Sequence, residues 1–162
     1  MALAPAELDR RLRAFRDACA RERVRITPQR VEVFREVARS DEHPDAETVF
    51  ARVRGRLTNV SLDTVYRTLS LLERLGLVSK VDTLCDKARF DARPERHHHF
   101  VCTTCGAVRD LVRPEWDVCP APEMPEGLGE VLSVHVQLRG ICATCAAKKR
   151  KGFGDERRQR NE

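Results

Sequence analysis

Aromatic side chains are scarce in this sequence, and it contains no long apolar run. Phe, Trp and Tyr make up 5% of the residues and all hydrophobic types together 41%, which excludes one large aromatic core and favours two modest ones. No apolar run approaches the length of a membrane span, and the N-terminus lacks a signal pattern. We therefore expect a cytoplasmic protein with no membrane partner. Internal repeats and low-complexity tracts are absent as well.

The length and charge of the chain leave its partner open. A chain of 162 residues suffices for one ordinary domain or two small ones. Lys and Arg number 30 against 25 Asp and Glu, which gives a net charge of +5. So mild an excess permits a nucleic-acid partner without proving one.

Seven cysteines are present, and in a reducing compartment that number favours metal binding over disulfides. The C-x-x-C pairs Cys102/Cys105 and Cys142/Cys145 offer four thiolates, the donor set of a closed tetrahedral zinc site. The alternatives are four unrelated buried cysteines or a redox C-x-x-C, although the thioredoxin-like context of a redox pair is missing. The sequence therefore predicts structural Zn²⁺. The remaining cysteines are expected to be ordinary thiols: Cys19, Cys85 and Cys119.

The first half of the chain has the pattern of helices with well-marked ends. Thr27 followed by Pro28, and then Asp45 and Ser61, are typical helix N-caps. Gly76 is typical of the residue just past a helix end. The last of these helices has an apolar face at helical spacing, formed by Val65, Leu69, Leu72 and Leu75. Two β-prone runs at 77–84 and 88–91, joined by a turn at 85–87, then complete the pattern of a winged helix-turn-helix.

The second half of the chain is expected to form a small α/β domain. Residues 93–96 are polar, contain a proline and are predicted to be a hinge. Strands are predicted at 97–102, 107–112 and 131–138, a loop with a short helix at 113–129, and a closing helix at 142–149. The predicted organisation is thus α+β, with a winged-helix DNA-binding domain at 1–92, the hinge at 93–96, a metal-binding domain at 97–150 and a disordered charged tail at 151–162.

A second metal site is predicted near the hinge, with nitrogen and oxygen ligands, which are harder than the sulfur ligands of the first. On a strand, residues two apart point to the same side, so His97 and His99 converge while the residue between them points away. Asp91 ends the preceding wing strand, Asp110 lies on the next strand, and His43 precedes the third helix. Taken alone, His43 and Asp110 also fit a loop residue and a solvated carboxylate.

Three histidines and two carboxylates suit Fe²⁺ or Mn²⁺, which accept mixed nitrogen and oxygen ligands. His43 and Asp91 belong to the predicted DNA-binding domain, and the other three residues to the predicted sheet domain. One ion bound by all five would hold the two domains in a single orientation, so its binding free energy would stabilise that orientation.

These motifs together resemble the ferric uptake regulator family of bacterial metal-dependent repressors. The resemblance covers roughly residues 8 to 148 and fixes spacing as well as residue type. It rests on Val24–Arg30, His43–Pro44, Asp63–Arg67, Arg89–Asp91, the run H-x-H-x-x-C-x-x-C-G from His97, and the final C-x-x-C. It implies a homodimer with C-terminal α/β dimerisation domains that binds a palindromic double-stranded DNA operator once metal is loaded.

Within that family the sequence looks most like the peroxide-sensing branch. Both carboxylate positions are Asp, at Asp91 and Asp110, where iron-responsive members more often carry Glu. The resemblance implies that bound Fe²⁺ reacts with hydrogen peroxide, oxidises His43 or His97, and so releases DNA. Arg67 departs from that branch, because iron regulators often carry Arg there.

A third metal site of the family is implied to be absent or altered. Arg96 and Val134 occupy positions where many members carry histidines of that site. His98 and His135 remain as candidates for a partial one.

The fourth helix is expected to enter the major groove of DNA. Its outward residues are predicted to read bases, and Arg25 resembles the family position that reaches the minor groove. Arginines of the first helix, such as Arg11, Arg13 and Arg16, are expected to address phosphates. The predicted DNA-contact residues are Arg25, Thr64, Tyr66, Arg67 and Thr68.

Three functions remain in view. The first is a peroxide-responsive repressor that depends on iron or manganese. The second is an iron-sufficiency repressor that uses Fe²⁺ only as corepressor. The third is a metalloenzyme, which the winged helix and the filled coordination sphere argue against, so no enzymatic activity is expected.

Overall fold

The computed structural model of the chain describes residues 3–81, 83, 87–117, 127 and 136–149. The chain divides into two compact units, Met1–Glu95 and Arg96–Glu162. None of the helices in the described stretches combines the length and apolar character that a membrane span needs. The tail expected to be disordered at 151–162, and the thiols of Cys85 and Cys119, lie outside the described residues.

The first unit is built from four helices, and the starts of the last three agree with the sequence. They are α1 (Pro5–Arg21), α2 (Pro28–Ala38), α3 (Ala46–Arg54) and α4 (Leu62–Arg74). The side chains of Thr27, Asp45 and Ser61 each accept a hydrogen bond from the backbone N–H three residues further along the chain. The distances are 3.3, 2.7 and 3.1 Å. Each cap satisfies a backbone donor that the helix itself leaves without an acceptor. All three predicted N-caps are confirmed.

Gly76 ends α4 in the predicted way. Its φ of 67° lies in the left-handed region, which only glycine occupies without a steric cost. The chain leaves α4 here and enters the wing, whose strands are β1 (Ser79–Val81) and β2 (Arg89–Asp91). They pair antiparallel with Ser79 opposite Asp91. Both strands begin one or two residues later than predicted. Residues 82 and 84–86, which include most of the turn predicted at 85–87, lie outside the described residues.

The core of the first unit is apolar and draws on all four helices. The rings of Phe15 on α1 and Phe34 on α2 stack with centroids 5.2 Å apart. The apolar face predicted for α4 is present, since Val65, Leu69 and Leu72 are fully buried. This core fixes α4 against the other helices and leaves the opposite face of α4 exposed.

A charged residue of α2 lies inside this unit, and the sequence did not predict it. Glu36 on α2 is fully buried. Its Oε2 lies 2.7 Å from Nη2 of Arg39 and 2.6 Å from Nη2 of Arg56. A buried carboxylate is costly without such partners. The pair with Arg56 also fastens α2 to the segment that follows α3.

The second unit contains a three-stranded sheet. Its elements are β3 (His98–Cys102), β4 (Val108–Leu111), α5 (Pro114–Asp117), β5 (Gln137–Gly140) and a closing helical segment at 143–149. β3 is central, antiparallel to β4 and parallel to β5. Of the strand predicted at 131–138, residues 131–135 lie outside the described part, and β5 continues to Gly140, two residues past the predicted end.

Replacing Phe34 by Ala should destabilise the first unit by about 3–5 kcal/mol, because the change leaves a cavity against Phe15. Urea unfolding followed by far-ultraviolet circular dichroism measures this loss. Ile26→Ala is the matched control, since Ile26 is exposed and should cost less than about 1 kcal/mol. Equal losses in the two variants would contradict the assignment of the core.

Candidate metal centres and nucleic-acid interface

The four paired cysteines come together at one end of the sheet. Cys102 ends β3 and lies opposite Gly140 in the parallel pairing with β5, so the second C-x-x-C begins two residues beyond that point. The four Sγ atoms all lie within 4.8 Å of one another, and those of Cys105 and Cys142 are 3.9 Å apart. Four sulfurs around one zinc ion at the usual bond length lie about 3.8 Å apart in a tetrahedron. The arrangement therefore fits the predicted zinc site.

The hydrogen bonds within this cluster favour unequal protonation of its thiols. The backbone N–H of Cys142 donates to Sγ of Cys102 at 3.3 Å, and this bond, with a second from the backbone of Cys105, lowers the pKa of Cys102 to about 6. Side-chain hydrogen bonds to Cys105 and Cys142 raise the pKa of Cys145 to about 12. Four thiolates so close repel one another, and a bound divalent cation removes that repulsion.

Cys19 is a buried thiol of the α1 core. Burial raises its pKa, which disfavours the reactive thiolate form. This environment agrees with the ordinary thiol that the sequence predicts.

The second unit also brings together three of the predicted hard-metal ligands. Nε2 of His97 lies 3.0 Å from Nε2 of His99, and both atoms lie 3.7 Å from Oδ1 of Asp110. The register of the sheet explains this, because His99 pairs directly with Asp110 across β3 and β4. Two nitrogens bound at right angles to one ion lie about 3.0 Å apart. These atoms fit as neighbouring ligands of a single metal.

His98 points to the other side of β3, as the alternation of the strand predicts. Its ring is buried and lies 5.4 Å from that of Trp116, and its Nδ1 accepts the backbone N–H of Val136 at 3.3 Å. Val134 and His135, two positions relevant to a third metal site, lie outside the described residues.

The first unit holds the other two predicted ligands as a buried pair. Nε2 of His43 lies 3.9 Å from Oδ1 of Asp91. The backbone N–H of Phe90 donates to the carbonyl of Pro44 at 3.1 Å, and that of Arg93 donates to Oδ1 of Asp91 at 2.9 Å. These bonds tie the loop before α3 to the end of β2 and orient the carboxylate.

His43 adopts a left-handed backbone conformation, with φ of 50°. A residue other than glycine pays about 1–2 kcal/mol for this conformation, so the surrounding structure must enforce it. Such strain is concentrated at functional positions. The sequence places His43 in a loop but carries no signal for its backbone conformation.

The exposed face of α4 carries most of the residues predicted to read DNA. Tyr66 is 48% exposed, and the side chain of Arg67 is 81% exposed. Thr64 is half-buried, and Arg25, ahead of α2, is exposed. These four residues are accessible for the contacts that the sequence predicts.

The prediction that Thr68 faces outward is wrong. Thr68 is 4% exposed, and its hydroxyl donates to the carbonyl of Thr64 at 2.7 Å. It lies three residues after Val65 and directly before Leu69, which puts it on the buried stripe of the helix. Its polar hydroxyl is satisfied by the preceding turn and not by DNA.

Arg11 is also misassigned by the sequence. Its side chain is 10% exposed, Nε pairs with Glu7 at 2.8 Å, and Nη1 donates to the carbonyl of Ala38 at 2.8 Å. It fastens α1 to the end of α2 and is not available to phosphate. Arg13 and Arg16 on the same helix are exposed.

Asp63 begins the Asp63–Arg67 motif of the family resemblance, but no role of its own was predicted for it from the sequence. Its Oδ2 lies 2.9 Å from Nε of Arg67, one helical turn further along α4. The signal for it was present, since acidic and basic residues four apart on a helix lie on one face.

Known proteins resemble this chain in sequence and in architecture. The peroxide-responsive repressor PerR of Staphylococcus epidermidis is 28% identical over 122 residues, which is 75% of this chain and 81% of PerR. The ferric uptake regulator Fur of Helicobacter pylori, described with three functional metal-binding sites, superposes with a TM-score of 0.69 at 25% identity over 86% of this chain and 93% of its own. The Campylobacter jejuni peroxide stress regulator gives 0.59 at 27% identity over 83% and 98% of the two chains.

The predicted fold class is confirmed by these likenesses: an N-terminal DNA-binding domain of winged-helix type and a C-terminal α/β dimerisation domain. The sequence pattern of the Ferric uptake regulator family matches residues 21–128, more than half of the chain. Members of that family are DNA-binding, dimeric transcription regulators. The protein belongs to the ferric uptake regulator family.

Proposed function

We propose that this protein is a homodimeric, metal-dependent transcription repressor that releases DNA when peroxide oxidises a histidine bound to its regulatory metal. The observation that carries the proposal is the close approach of two imidazole nitrogens and one carboxylate oxygen in the cluster of His97, His99 and Asp110. The likeness to peroxide-responsive relatives supports the same reading.

In this proposal Cys102, Cys105, Cys142 and Cys145 bind a structural Zn²⁺. Soft thiolates in a tetrahedron leave no open position for chemistry. The ion joins the turn after β3 to the segment after β5, and its binding free energy adds to the folding free energy of a small sheet.

The regulatory metal, Fe²⁺ or Mn²⁺, takes His43 and Asp91 from one unit and His97, His99 and Asp110 from the other. Neither set alone supplies the six ligands that these ions commonly accept, whereas five protein ligands nearly complete the coordination sphere. Only five residues separate Asp91 from His97 in the chain. Occupancy of the site then stabilises one orientation of the DNA-binding domains, the orientation that fits a palindromic operator.

The release step oxidises His43 or His97. Bound Fe²⁺ supplies cleavage of the O–O bond of hydrogen peroxide. One oxygen atom of the peroxide is added to an imidazole C–H carbon and the other leaves as water, so the ring loses two electrons to the peroxide. The oxidised ring is a poorer nitrogen donor, and the orientation that the metal stabilised is lost.

DNA binding uses α4 in the major groove and Arg25 in the minor groove. Tyr66 and Thr64 are placed to touch thymine methyl groups, and Arg67 to donate to a guanine. A two-fold symmetric dimer presents two such helices, which accounts for a palindromic operator.

An iron-sufficiency repressor is the second candidate, favoured by Arg67 and by the likeness to Helicobacter pylori Fur. In that case Fe²⁺ acts as corepressor and no histidine is oxidised. The two candidates share the fold, the zinc site and the DNA surface, so only the oxidation chemistry separates them.

Replacing Cys102 by Ser should abolish zinc binding and dissociate or unfold the dimer, because the thiolate whose pKa is lowered to about 6 is lost from the cluster. Zinc analysis combined with sedimentation measures both effects. Cys19→Ala, which changes a thiol outside the cluster, should retain the zinc. A stable, zinc-free dimer of the Cys102 variant would remove the structural role of this site.

Brief exposure of the Fe²⁺-loaded protein to dilute hydrogen peroxide should add the mass of one oxygen atom to the peptide containing His43 or to the one containing His97. Tandem mass spectrometry should place the oxygen on the ligand histidine. His98 in the same peptide as His97 is the internal control, because it points away from the cluster. If neither peptide changes while DNA binding stays iron-dependent, the protein is an iron-sufficiency repressor.

Asp110→Glu should retain metal-dependent DNA binding and slow the oxidation severalfold, because the longer carboxylate still binds the metal but changes access and charge at it. Oxidation rates from the same peptide analysis and DNA titrations measure the two properties. Asp9→Glu makes the same change on an exposed part of α1 and should alter neither. An oxidation rate in Asp110→Glu equal to that of the wild type counts against the peroxide-sensing assignment.

A further inference from the structure

We propose that Asp63 determines operator specificity by holding the guanidinium of Arg67 in the orientation that reads guanine. This inference rests on the proposed DNA-binding function and names a residue to which that function gave no role. The carrying observation is the contact between Oδ2 of Asp63 and Nε of Arg67 at 2.9 Å.

The position of the contact on the guanidinium determines which nitrogens of Arg67 can bind a base. Asp63 and Arg67 are four residues apart on α4 and therefore lie on one face of the helix. The carboxylate engages Nε, at the side of the guanidinium, and a contact through Nε leaves terminal nitrogens for a base. Those two nitrogens match O6 and N7 of guanine, which lie side by side in the major groove.

Fold stability does not account for this pair. The side chains are 69% and 81% exposed, and ion pairs that exposed contribute little to stability. The pair contributes instead to DNA binding, when α4 enters the groove and water is displaced from the two side chains. A guanidinium already oriented loses less side-chain entropy on binding than a free one.

Asp63 also opposes binding to wrong sequences. A carboxylate close to the phosphates of DNA is repelled unless a cation or an amino group of a base faces it. This repulsion is present on every sequence. Where Arg67 meets guanine, the hydrogen bonds to the base offset it, and where Arg67 finds no guanine, nothing does. The carboxylate thus lowers affinity for non-specific DNA and sharpens discrimination, which is how specificity arises from a repulsive element.

A purely structural role for Asp63 makes a different prediction. Asp63 lies in the first turn of α4, where an acidic side chain stabilises the N-terminus of a helix. If that were its whole role, replacing it would lower thermal stability and weaken binding to every sequence by the same factor. The specificity role instead changes the ratio between sequences.

The test begins with the metal-loaded wild-type protein and a random double-stranded DNA library, which supplies a preferred duplex. Affinities are then measured for that duplex and for versions with each G·C pair changed to A·T. The proteins compared are the wild type, Asp63→Asn, Arg67→Lys, the double variant and Glu73→Gln. Glu73 is the matched control: it is exposed on the same helix about 15 Å further along and loses the same charge.

At one G·C pair in each half-site, the wild type should prefer guanine by about tenfold or more. Asp63→Asn should reduce that preference to a few-fold while binding non-specific DNA at least as tightly as the wild type. Arg67→Lys should reduce the preference similarly, and the double variant should lose little more, because the two residues act as a unit. Glu73→Gln should keep the wild-type preference.

Three results overturn the inference in distinguishable ways. If Asp63→Asn keeps the wild-type preference, or weakens all duplexes equally, Asp63 has no role in specificity. If Arg67→Lys leaves every preference unchanged, Arg67 reads no guanine and Asp63 has nothing to orient, although the repressor function stands. If the metal-loaded wild type selects no sequence, the proposed function itself fails and the inference fails with it.

Discussion

Coordination of a single ion by side chains from both ends of a five-residue connector is the interaction on which the proposed mechanism depends. His43 and Asp91 precede the connector, and His97, His99 and Asp110 follow it. Metal–ligand bonds are strong and directional, so an ion that needs all five selects one arrangement of the chain from many. The strained backbone of His43 and the backbone bond to the carboxylate of Asp91 fit this requirement, because a ligand already in position loses less entropy when the metal binds.

In the proposed function, the two metal sites divide their tasks by the chemistry of their ligands. Four thiolates favour zinc, which has no redox chemistry, and leave no open position, so the cysteine cluster is suited to permanent structural support. Imidazole and carboxylate ligands favour iron or manganese, and iron reacts with peroxide. Under this proposal, the permanent zinc ion keeps the sheet intact while the reactive metal site changes. The same proposal assigns the choice of DNA sequence to the exposed face of α4.

Local features of this fold were predictable from the sequence, and features set by packing were not. The caps at Thr27, Asp45 and Ser61 depend on neighbouring backbone groups only, which is why residue type was sufficient to predict them. Strand alternation likewise predicted the convergence of His97 and His99, although β3 begins only at His98. Thr68 is misplaced because the buried stripe was drawn through Val65, Leu69, Leu72 and Leu75 only, although the helical position of Thr68 lies on the same stripe. The pairs made by buried charges and the left-handed conformation of His43 depend on distant segments, and no short pattern encodes them.

Thermodynamic linkage gives the most direct test of the central claim. If metal occupancy selects the DNA-binding arrangement, DNA must tighten metal binding by the same coupling free energy with which metal tightens DNA binding. The measurement is a titration of the zinc-containing protein with Mn²⁺, with and without saturating operator duplex. The account predicts that the duplex raises the affinity for Mn²⁺ about tenfold or more. An affinity for Mn²⁺ that the duplex leaves unchanged would contradict it.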